Sequence, residues 1–225
     1  YYAKELKENG INRINVSLDT INKFKYKNIT RFGNLEKVIN GIKEAIKNNI
    51  KVKINTVAMK NFNEDELEEL ILWANKLNID ITFIEVMPMQ ETDISRYMQF
   101  ASLDKIFTKL DKKFNFIKNN QNTGGPATYY VSENISIKIG FITPISNNFC
   151  ASCNRIRITS TGKLFMCLGQ NDHIDFREIL RSDYSNDFIK EKISQALKIK
   201  PKRHDFLIEK DSVPYVERHM NVTGG

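Results

Sequence analysis

The first 90 residues alternate between the spacing of strands and the spacing of helices. Residues 13–19 alternate polar and apolar side chains, the period of a strand, and the apolar segments 52–59 and 79–87 also indicate strands. Between these segments, residues 34–49 and 63–77 repeat apolar side chains at helical spacing. Strands joined by helical crossovers of this length run parallel and connect right-handedly. The pattern therefore predicts an α/β fold, either a barrel or a doubly wound sheet.

Two local signals predict where helices begin and end. A helix over residues 2–9 is expected to end at Gly10, because glycine readily adopts the left-handed conformation that closes a helix. Asn63 followed by Glu66 has the spacing of a capping box, which predicts that the second crossover helix begins at Asn63. The first signal closes the helix before the first strand, and the second begins a helix between two strands.

Parallel α/β folds bind their ligands at the carboxyl ends of the strands. This rule selects six positions in the chain: Ser17, Asp19, Met59, Lys60, Met87 and Pro88. Lys53 lies nearer the start of its strand. Three parallel strands are too few to close a barrel, and the helix over residues 2–9 has no strand before it. We therefore expect the first strands of the fold to be missing from this sequence.

Residues 91–225 follow a different pattern. The predicted elements are a helix over 102–114, a hairpin formed by 127–132 and 135–142, and a helix over about 186–197. The cysteines lie between the hairpin and the last helix. We expect two domains, a parallel α/β domain over residues 1–90 and an α+β region over residues 91–225.

The composition is basic. Lysine and arginine total 34 against 27 aspartate and glutamate residues, which gives a formal net charge of +7 and an isoelectric point near 9.2. This surplus suits an anionic ligand such as a nucleotide, although many lysines are scattered along helices, where they solvate outer faces. No segment reaches the roughly 18 consecutive apolar residues of a membrane span, and no signal sequence is recognisable. We expect a cytoplasmic protein that binds neither membranes nor nucleic acids.

The three cysteines of the chain are clustered. Cys150, Cys153 and Cys167 follow a C-x2-C-x13-C spacing. An odd number of cysteines in so short a segment favours a metal site in a reducing compartment over a disulfide framework. Cys150 and Cys153 are close enough in sequence to ligate one metal centre.

A hairpin is predicted within the cysteine segment. Short strands over residues 156–159 and 163–168 flank a turn centred near Thr161. This hairpin would bring Cys167 opposite Arg155, so that all three thiolates converge.

Two arginines accompany these thiolates. Alternation along the first strand of the hairpin places Arg155 and Arg157 on one face, while Ile156 and Ile158 are expected to pack on the other. Two guanidinium groups in this position could hold phosphates bidentately.

The spacing alone leaves several interpretations open. Structural zinc normally takes four protein ligands, and the histidines of the chain, His173, His204 and His219, all lie downstream of the motif. An iron–sulfur cluster normally takes four cysteines, so three would leave one iron open to a substrate. The cysteines could also be small buried hydrophobic residues, or belong to a zinc knuckle completed by a distant histidine.

Seven segments of the chain resemble the GTP 3′,8-cyclase family of radical-SAM enzymes, which acts in molybdenum cofactor biosynthesis. These segments are 13–19, 83–88, 125–130, 140–146, 149–159, 162–168 and 224–225. They occur in the family's order from one end of the chain to the other. The resemblance implies a TIM-like (β/α)6 radical-SAM barrel, of which only the C-terminal half with its last three strands is present, followed by an α+β auxiliary-cluster region.

The same resemblance implies which residues contact each ligand. An auxiliary [4Fe-4S] cluster, whose open iron contacts the guanine of GTP, would be held by Cys150, Cys153 and Cys167. GTP would be contacted by Lys53, Arg155, Ile156 and Arg157. Ser17 and Met87 fall where the family contacts S-adenosyl-L-methionine (SAM). Gly224 and Gly225 resemble a tail segment that reaches into the active site.

The resemblance also implies a reaction. A reduced [4Fe-4S] cluster cleaves SAM to a 5′-deoxyadenosyl radical, which takes the hydrogen from C3′ of the ribose. The carbon radical then closes onto C8 of guanine, which leads to (8S)-3′,8-cyclo-7,8-dihydroguanosine 5′-triphosphate. The implied partners are GTP, SAM and an electron donor, and a homodimer is compatible with the resemblance. No residue of this chain is assigned acid or base catalysis.

Two features depart from the family pattern. The C-x3-C-x2-C motif of the SAM-cleaving cluster is absent, so the ligands of that second cluster are missing and no turnover is expected from this chain alone. Thr82 stands directly before Phe83, where related sequences commonly place an arginine. A phosphate or substrate contact would be lost at that position.

Two other functions are compatible with these residues. Another radical-SAM enzyme with an auxiliary cluster, such as a peptide-modifying enzyme, would usually carry more cysteines in this region. A zinc-bearing module could bind RNA through a basic surface.

Overall fold

The computed structural model describes residues 2–89, 96–120, 124–206, 208–209, 216, 218 and 220–223. By packing, the chain divides into two compact units. The first contains the described residues up to Val86 and those from Gln99 to Asn147, and the second contains those of 87–98 and those from Asn148 onwards. The protein has a mixed α/β fold with a parallel sheet, as predicted. No helix within the described ranges is long and apolar enough to cross a membrane.

The first unit is built on one six-stranded sheet with helices packed against it. Its elements are α1 (Tyr2–Glu8), β1 (Arg13–Ser17), α2 (Lys23–Thr30), α3 (Leu35–Lys47), β2 (Lys51–Ala58), α4 (Leu67–Lys76), β3 (Asp80–Glu85), α6 (Leu103–Phe114), β4 (Ile117–Asn119), β5 (Thr128–Ser132) and β6 (Ile135–Ile142). A short helix, α5 (Arg96–Gln99), contains one chain junction between the two units.

The strands of this sheet follow the order β1-β2-β3-β6-β5-β4. β1, β2, β3 and β6 are parallel, and β5 and β4 complete the sheet in antiparallel fashion. The three predicted parallel strands and the predicted hairpin, formed by β5 and β6, are confirmed. The hairpin also joins the parallel strands, because Ile81 of β3 pairs with Ile139 of β6. The sheet therefore continues past residue 90, and the division into a domain over residues 1–90 and a region over residues 91–225 stays a prediction.

The second unit contains a small antiparallel sheet and two helices. Its elements are β7 (Arg157–Ile158), β8 (Lys163–Phe165), β9 (His173–Asp175), α7 (Phe176–Arg181) and α8 (Asn186–Lys198), with single turns of 3-10 helix at Cys150–Ser152 and Met220–Thr223. The strands follow the order β7-β8-β9. A separate apolar cluster that includes Leu164, Met166, Phe176 and Ala196 packs α7 and α8 against this sheet.

The crossover helices bury the apolar stripes that the sequence predicts. α3 begins after Asn34, whose side-chain oxygen accepts a hydrogen bond from the Lys37 backbone N–H at 3.1 Å. Its stripe places Ile42 and Ala45 in the same apolar cluster as Ile54 of β2. Burial of such residues contributes about 1.5–3 kcal/mol per large aliphatic side chain, so this cluster is a main source of stability for the first unit.

The apolar periodicity of the sequence does not predict α2. Tyr26 is the buried residue of this helix, whereas Phe24 is exposed, so α2 carries no apolar stripe. Its N-cap, Asn22, accepts hydrogen bonds from the backbone N–H groups of Phe24 and Lys25 at 3.0 and 3.2 Å. Asn22 is therefore the local signal that could have revealed α2.

The capping-box prediction at Asn63 is wrong. α4 begins at Leu67, and Glu66 occupies the N-cap position without a side-chain capping bond. Asn63 is buried, and its side chain accepts a hydrogen bond from the Met59 N–H at 2.7 Å and donates one to the Asp19 carbonyl at 2.6 Å. Asn63 thus joins the segments that follow β1 and β2, and this tertiary role outweighs the local capping preference.

Glu85, the last residue of β3, is a buried carboxylate with four hydrogen bonds. One oxygen accepts from the Leu103 N–H at 3.0 Å and from the Ser146 hydroxyl. The other accepts from the N–H groups of Ile145 and Ser146 at 2.9 and 3.0 Å. Because a buried charge is costly unless it is fully hydrogen-bonded, these donors make the burial of Glu85 tolerable. They also fix the start of α6 and the 145–146 segment at the end of β3.

We predict that Glu85→Gln lowers the free energy of unfolding of the first unit by about 3 kcal/mol. The amide nitrogen of glutamine is a donor and would face backbone donors that now share a carboxylate. Urea denaturation followed by fluorescence measures this unit directly, because the single tryptophan of the chain, Trp73, lies in α4. Glu133→Gln, at an exposed position in the β5–β6 turn, is the control and should change little. Equal denaturation midpoints for the two variants would contradict the prediction.

Candidate functional site

Cys150 and Cys153 flank a single turn of 3-10 helix. The Cys153 N–H donates to the Cys150 carbonyl at 3.0 Å, and the Cys150 N–H donates to the side-chain oxygen of Asn148 at 2.9 Å. The turn closes within three residues, so the two thiols belong to one compact segment. Together with Cys167, they are free thiols, and each is half-buried.

The predicted hairpin is confirmed. β7 and β8 pair Arg157 with Phe165, a register whose centre is Thr161. Extending this register by two residues on each strand places Cys167 opposite Arg155. The turn itself is closed by a hydrogen bond from the Thr159 N–H to the Lys163 carbonyl at 2.9 Å. The long C-x13-C interval is therefore folded back on itself.

The first strand of the hairpin exposes its isoleucines and partly buries its arginines. Arg155 and Arg157 alternate with Ile156 and Ile158, as predicted, but the expected packing of the isoleucines is wrong. Ile156 is 38% exposed and Ile158 is 56% exposed, whereas both arginines are half-buried. The guanidinium groups turn inward because polar and aromatic groups there accept them.

Two cations lie next to the thiol of Cys153. Nη2 of Arg155 and Nζ of Lys200 are each 3.9 Å from Cys153 Sγ. The Arg155 guanidinium also lies 5.3 Å from the ring centre of Phe149, within the range of a cation–π contact. Burial raises the pKa of the Cys153 thiol, but hydrogen bonds from Arg155 and the charges of Lys200 and Arg155 outweigh burial and hold that pKa below its ordinary value. The thiolate of Cys153 is thus favoured.

Cys167 is affected by the other two thiols. Burial raises the pKa of the Cys167 thiol above its ordinary value, and the charges of Cys150 and Cys153 raise it further, against opposing contributions from Gly169 and Lys200. The Cys167 thiol is therefore affected by the charges of both other thiols. Within the part of the chain that the structure describes, no group of three or more His, Cys, Asp or Glu side chains is already arranged to hold a metal ion.

The C-terminal segment contacts the same region. Nη1 of Arg157 donates to the Thr223 carbonyl at 3.1 Å. Arg218 donates through Nη2 to the carbonyls of Cys167 and Leu168 at 3.2 and 2.5 Å. Thr223 is thereby attached to the first arm of the cysteine hairpin and Arg218 to the second. Gly224 and Gly225, predicted to belong to the active site, lie outside the described residues.

The guanidinium groups of this region repel one another. Burial lowers the pKa of Arg157, and the charge of Arg155 lowers it further, with an opposing effect from Cys153. Burial also lowers the pKa of Arg218, where the charge of Cys167 opposes the shift and that of Arg157 adds to it. Such a concentration of positive charge is stabilised by anions, whether thiolates or a bound phosphate.

Ser17 and Lys53 lie on one face of the six-stranded sheet. Ser17 ends β1 and pairs with Asn55, while Lys53, near the start of β2, pairs with Asn15. Strand residues two apart share a face, so Ser17 and Lys53 are on the same side. Nζ of Lys53 donates to the hydroxyl of Tyr129 at 3.3 Å. The opposite side of β2 is packed in the apolar core, so ligands could contact the sheet only on the face of Lys53.

Thr82, the position that departs from the family pattern, belongs to the same face. It pairs with Asn55 on one side and with Gly140 on the other. Among the described residues, the Thr82 hydroxyl and the Asn55 side-chain oxygen are buried without a hydrogen-bond partner. A Cβ built on Gly140 would lie 2.7 Å from the Thr82 hydroxyl. Thr82 is therefore fully buried, and only a residue without a Cβ, such as Gly140, fits beside its hydroxyl.

The predicted site residues fall into two groups, one in each unit. The three cysteines and two arginines share one neighbourhood in the second unit, and Ser17 and Lys53 share one sheet face in the first unit. Met87 is half-buried in the second unit, and its carbonyl accepts a hydrogen bond from the Met89 N–H at 2.8 Å. Asp19, at the carboxyl end of β1, accepts a hydrogen bond from the Val57 N–H at 2.8 Å, and burial raises the pKa of its carboxyl.

Sequence reasoning missed the two cations that contact the backbone of the hairpin, Lys200 and Arg218. Lys200 lies in a lysine-rich segment with Lys198 and Lys202, so nothing in the local pattern distinguishes it. Arg218 lies about 50 positions from the carbonyls that it contacts. Only tertiary folding reveals either residue.

The chemistry of this donor set fits a soft metal centre. Three half-buried thiols with adjacent cations supply thiolate ligands and compensate their charge, which suits an iron–sulfur cluster or zinc. Three ligands leave one coordination position for a fourth group. The nearby guanidinium groups can bind an anionic substrate at the same place.

Comparisons with known proteins agree with the resemblance seen in the sequence. The Radical SAM superfamily model matches residues 2–74, and the Molybdenum Cofactor Synthesis C model matches residues 79–206. The chain is 47% identical over 225 residues to proteins named GTP 3′,8-cyclase from Brucella ovis, Brucella canis and Brucella suis. These alignments cover 100% of this chain and 65% of each relative, so the chain spans about two thirds of their length.

The two family models match consecutive parts of the chain, in the order that the resemblance predicts. The first includes β1, β2 and most of α4, and the second begins just before β3 and includes all three cysteines. The second model covers more than half of the sequence. The protein therefore belongs to the Molybdenum Cofactor Synthesis C family.

Proposed function

We propose that this chain forms the GTP-binding and auxiliary-cluster part of a GTP 3′,8-cyclase in molybdenum cofactor biosynthesis. One observation carries the proposal: three free, half-buried thiols share a neighbourhood with the Arg155 and Arg157 guanidinium groups. The relatives named GTP 3′,8-cyclase and the two family models support the same activity. Free thiols that must ligate metal persist in a reducing compartment, so the proposal includes a cytoplasmic location.

The cysteines would hold a [4Fe-4S] cluster through Cys150, Cys153 and Cys167. When bound, this cluster would supply an iron with a free coordination position to the guanine base. The protein's own contribution is electrostatic, since Arg155 and Lys200 lie beside Cys153 and favour its thiolate. Positive charge near the sulfur ligands offsets the negative charge of a thiolate-bound cluster.

The arginines would bind the triphosphate of GTP. Arg155 and Arg157 are half-buried and repel each other, so an anion between them relieves that repulsion. Guanidinium groups bind phosphate oxygens bidentately, which fixes orientation as well as affinity. Ile156, between the two arginines, would line the same segment. Holding the substrate rigidly away from water is the main requirement for a radical reaction that uses no protein acid or base.

The six-stranded sheet would contribute the remaining contacts. We infer that its parallel strands β1, β2 and β3 are the last strands of a (β/α)6 radical-SAM barrel, with residues 1–90 as the barrel part and residues 91–225 as the auxiliary-cluster and GTP-binding part. Ser17 and Met87 would contact SAM, and Lys53 would contact GTP. SAM cleavage needs a second [4Fe-4S] cluster and an electron donor, and this sequence contains no C-x3-C-x2-C motif for that cluster.

Iron reconstitution tests whether the three cysteines hold an iron–sulfur cluster. Anaerobic reconstitution of the chain with iron and sulfide should yield a brown protein with about four irons per chain. Cys150→Ser, Cys153→Ser and Cys167→Ser should each lose most of this iron, because each removes one of the three thiolates. Ser152→Ala, in the same turn, is the control and should bind iron normally. A colourless protein with one zinc would instead indicate the zinc-bearing module.

A second prediction tests the substrate site. In the iron-loaded chain, Arg155→Ala and Arg157→Ala should each weaken GTP binding by about 1.5–3 kcal/mol, the contribution of a charged hydrogen bond. Isothermal titration calorimetry measures the affinity. Arg181→Ala, which removes an exposed arginine at the end of α7, controls for net charge and should leave the affinity unchanged. Unchanged GTP affinity in both site variants would remove Arg155 and Arg157 from the site.

A further inference from the structure

Lys200 makes an unusual set of contacts just beyond the end of α8. Its ammonium group donates to the carbonyl of Arg155 at 2.7 Å and to the carbonyl of Met166 at 2.6 Å. The same nitrogen lies 3.9 Å from Cys153 Sγ. Its side chain is half-buried, whereas neighbouring Lys198 is exposed. Three separate contacts to one ammonium group distinguish it from a solvated surface lysine.

The two carbonyls belong to opposite arms of the cysteine hairpin. Arg155 lies between Cys153 and β7, and Met166 lies between β8 and Cys167. The regular pairing of β7 with β8 ends at Arg157 and Phe165, before either cysteine is reached. Lys200 therefore connects the two arms beyond the point where the β7–β8 pairing ends.

The position of Lys200 is itself fixed by packing. Ala196 of α8 is fully buried in the apolar cluster that contains Met166 and Leu164, and Ile193 packs against that cluster. α8 ends at Lys198, two residues before Lys200. The helix thus holds the backbone near Lys200 at a set distance from the hairpin.

We propose that Lys200 is a positioning residue for the metal centre, which joins the Cys150–Cys153 turn to the Cys167 arm and places a positive charge beside the Cys153 sulfur. The inference rests on the proposed iron–sulfur function. Residues that orient the ligands of a metal centre commonly alter its affinity by about 10–100-fold when they are replaced. A cation beside a cluster also favours the more negatively charged, reduced state and so raises the midpoint potential.

Three variants test this role in the reconstituted chain. Lys200→Met removes the charge and the donors while retaining an unbranched side chain. Lys200→Arg retains both the charge and the donors. Lys198→Met removes a lysine of the same segment that is exposed, and so controls for the loss of net charge. The measurements are iron loss to a chelator, the cluster midpoint potential by EPR-monitored titration, and the melting temperature of the iron-free chain.

Lys200→Met should lose iron about tenfold faster than the unmodified chain and should have a more negative midpoint potential. Lys200→Arg should largely restore both properties, and Lys198→Met should change neither. If Lys200→Met lowers only the melting temperature, or if its iron loss and potential equal those of Lys198→Met, the positioning role is overturned while the cluster itself stands. An unmodified chain that binds no iron overturns both the inference and the proposed function.

Discussion

The buried carboxylate of Glu85 is the constraint on which the arrangement of the first unit depends. It ends β3 and accepts four hydrogen bonds, from the backbone and side chain of Ser146 and from the N–H groups of Leu103 and Ile145. These donors come from segments far apart in sequence, so one buried side chain determines where α6 starts and where the chain leaves β6. A neutral residue could not accept so many donors, and an unsatisfied carboxylate could not remain buried.

The second unit faces the opposite electrostatic problem. Arg155, Arg157, Lys200 and Arg218 lie near half-buried thiols and backbone carbonyls, and the charge of Arg155 lowers the pKa of Arg157, while that of Arg157 lowers the pKa of Arg218. Backbone carbonyl oxygens that accept hydrogen bonds from Lys200 and Arg218 offset part of this positive charge. Thiolates offset another part, and a bound phosphate would offset more. This concentration of positive charge supports the proposal that a metal centre and an anionic ligand bind in this region.

Sequence periodicity predicted the elements whose stability is local or repetitive. The stripe of α3, the alternation of β1 and the turn of the cysteine hairpin each depend on neighbours within a few positions. Periodicity failed where a residue acts at long range, as when Asn63 bonds to Asp19 and Met59 and leaves the start of α4 to Leu67. It could not detect α2, which has no apolar stripe. The pairing of β6 with β3 was also missed, because no local pattern states which strand will be a neighbour.

In the candidate site, too, the sequence predicted local features but not long-range contacts. Two short strand patterns on either side of a turn near Thr161 were enough to predict the hairpin, since its register depends on that short turn. The alternation of arginines and isoleucines on two faces was predicted, but the predicted packing of Ile156 and Ile158 is wrong, because the arginine face is the inner one. Arg155 lies against the Cys153 sulfur and Arg157 donates to the Thr223 carbonyl, while Ile156 and Ile158 remain exposed. The second strand of the hairpin still buries Leu164, Phe165 and Met166, so apolar packing stabilises that strand, whereas the first strand depends on the polar contacts of its arginines. We therefore expect the contacts of the first strand to be the more sensitive to ionic strength.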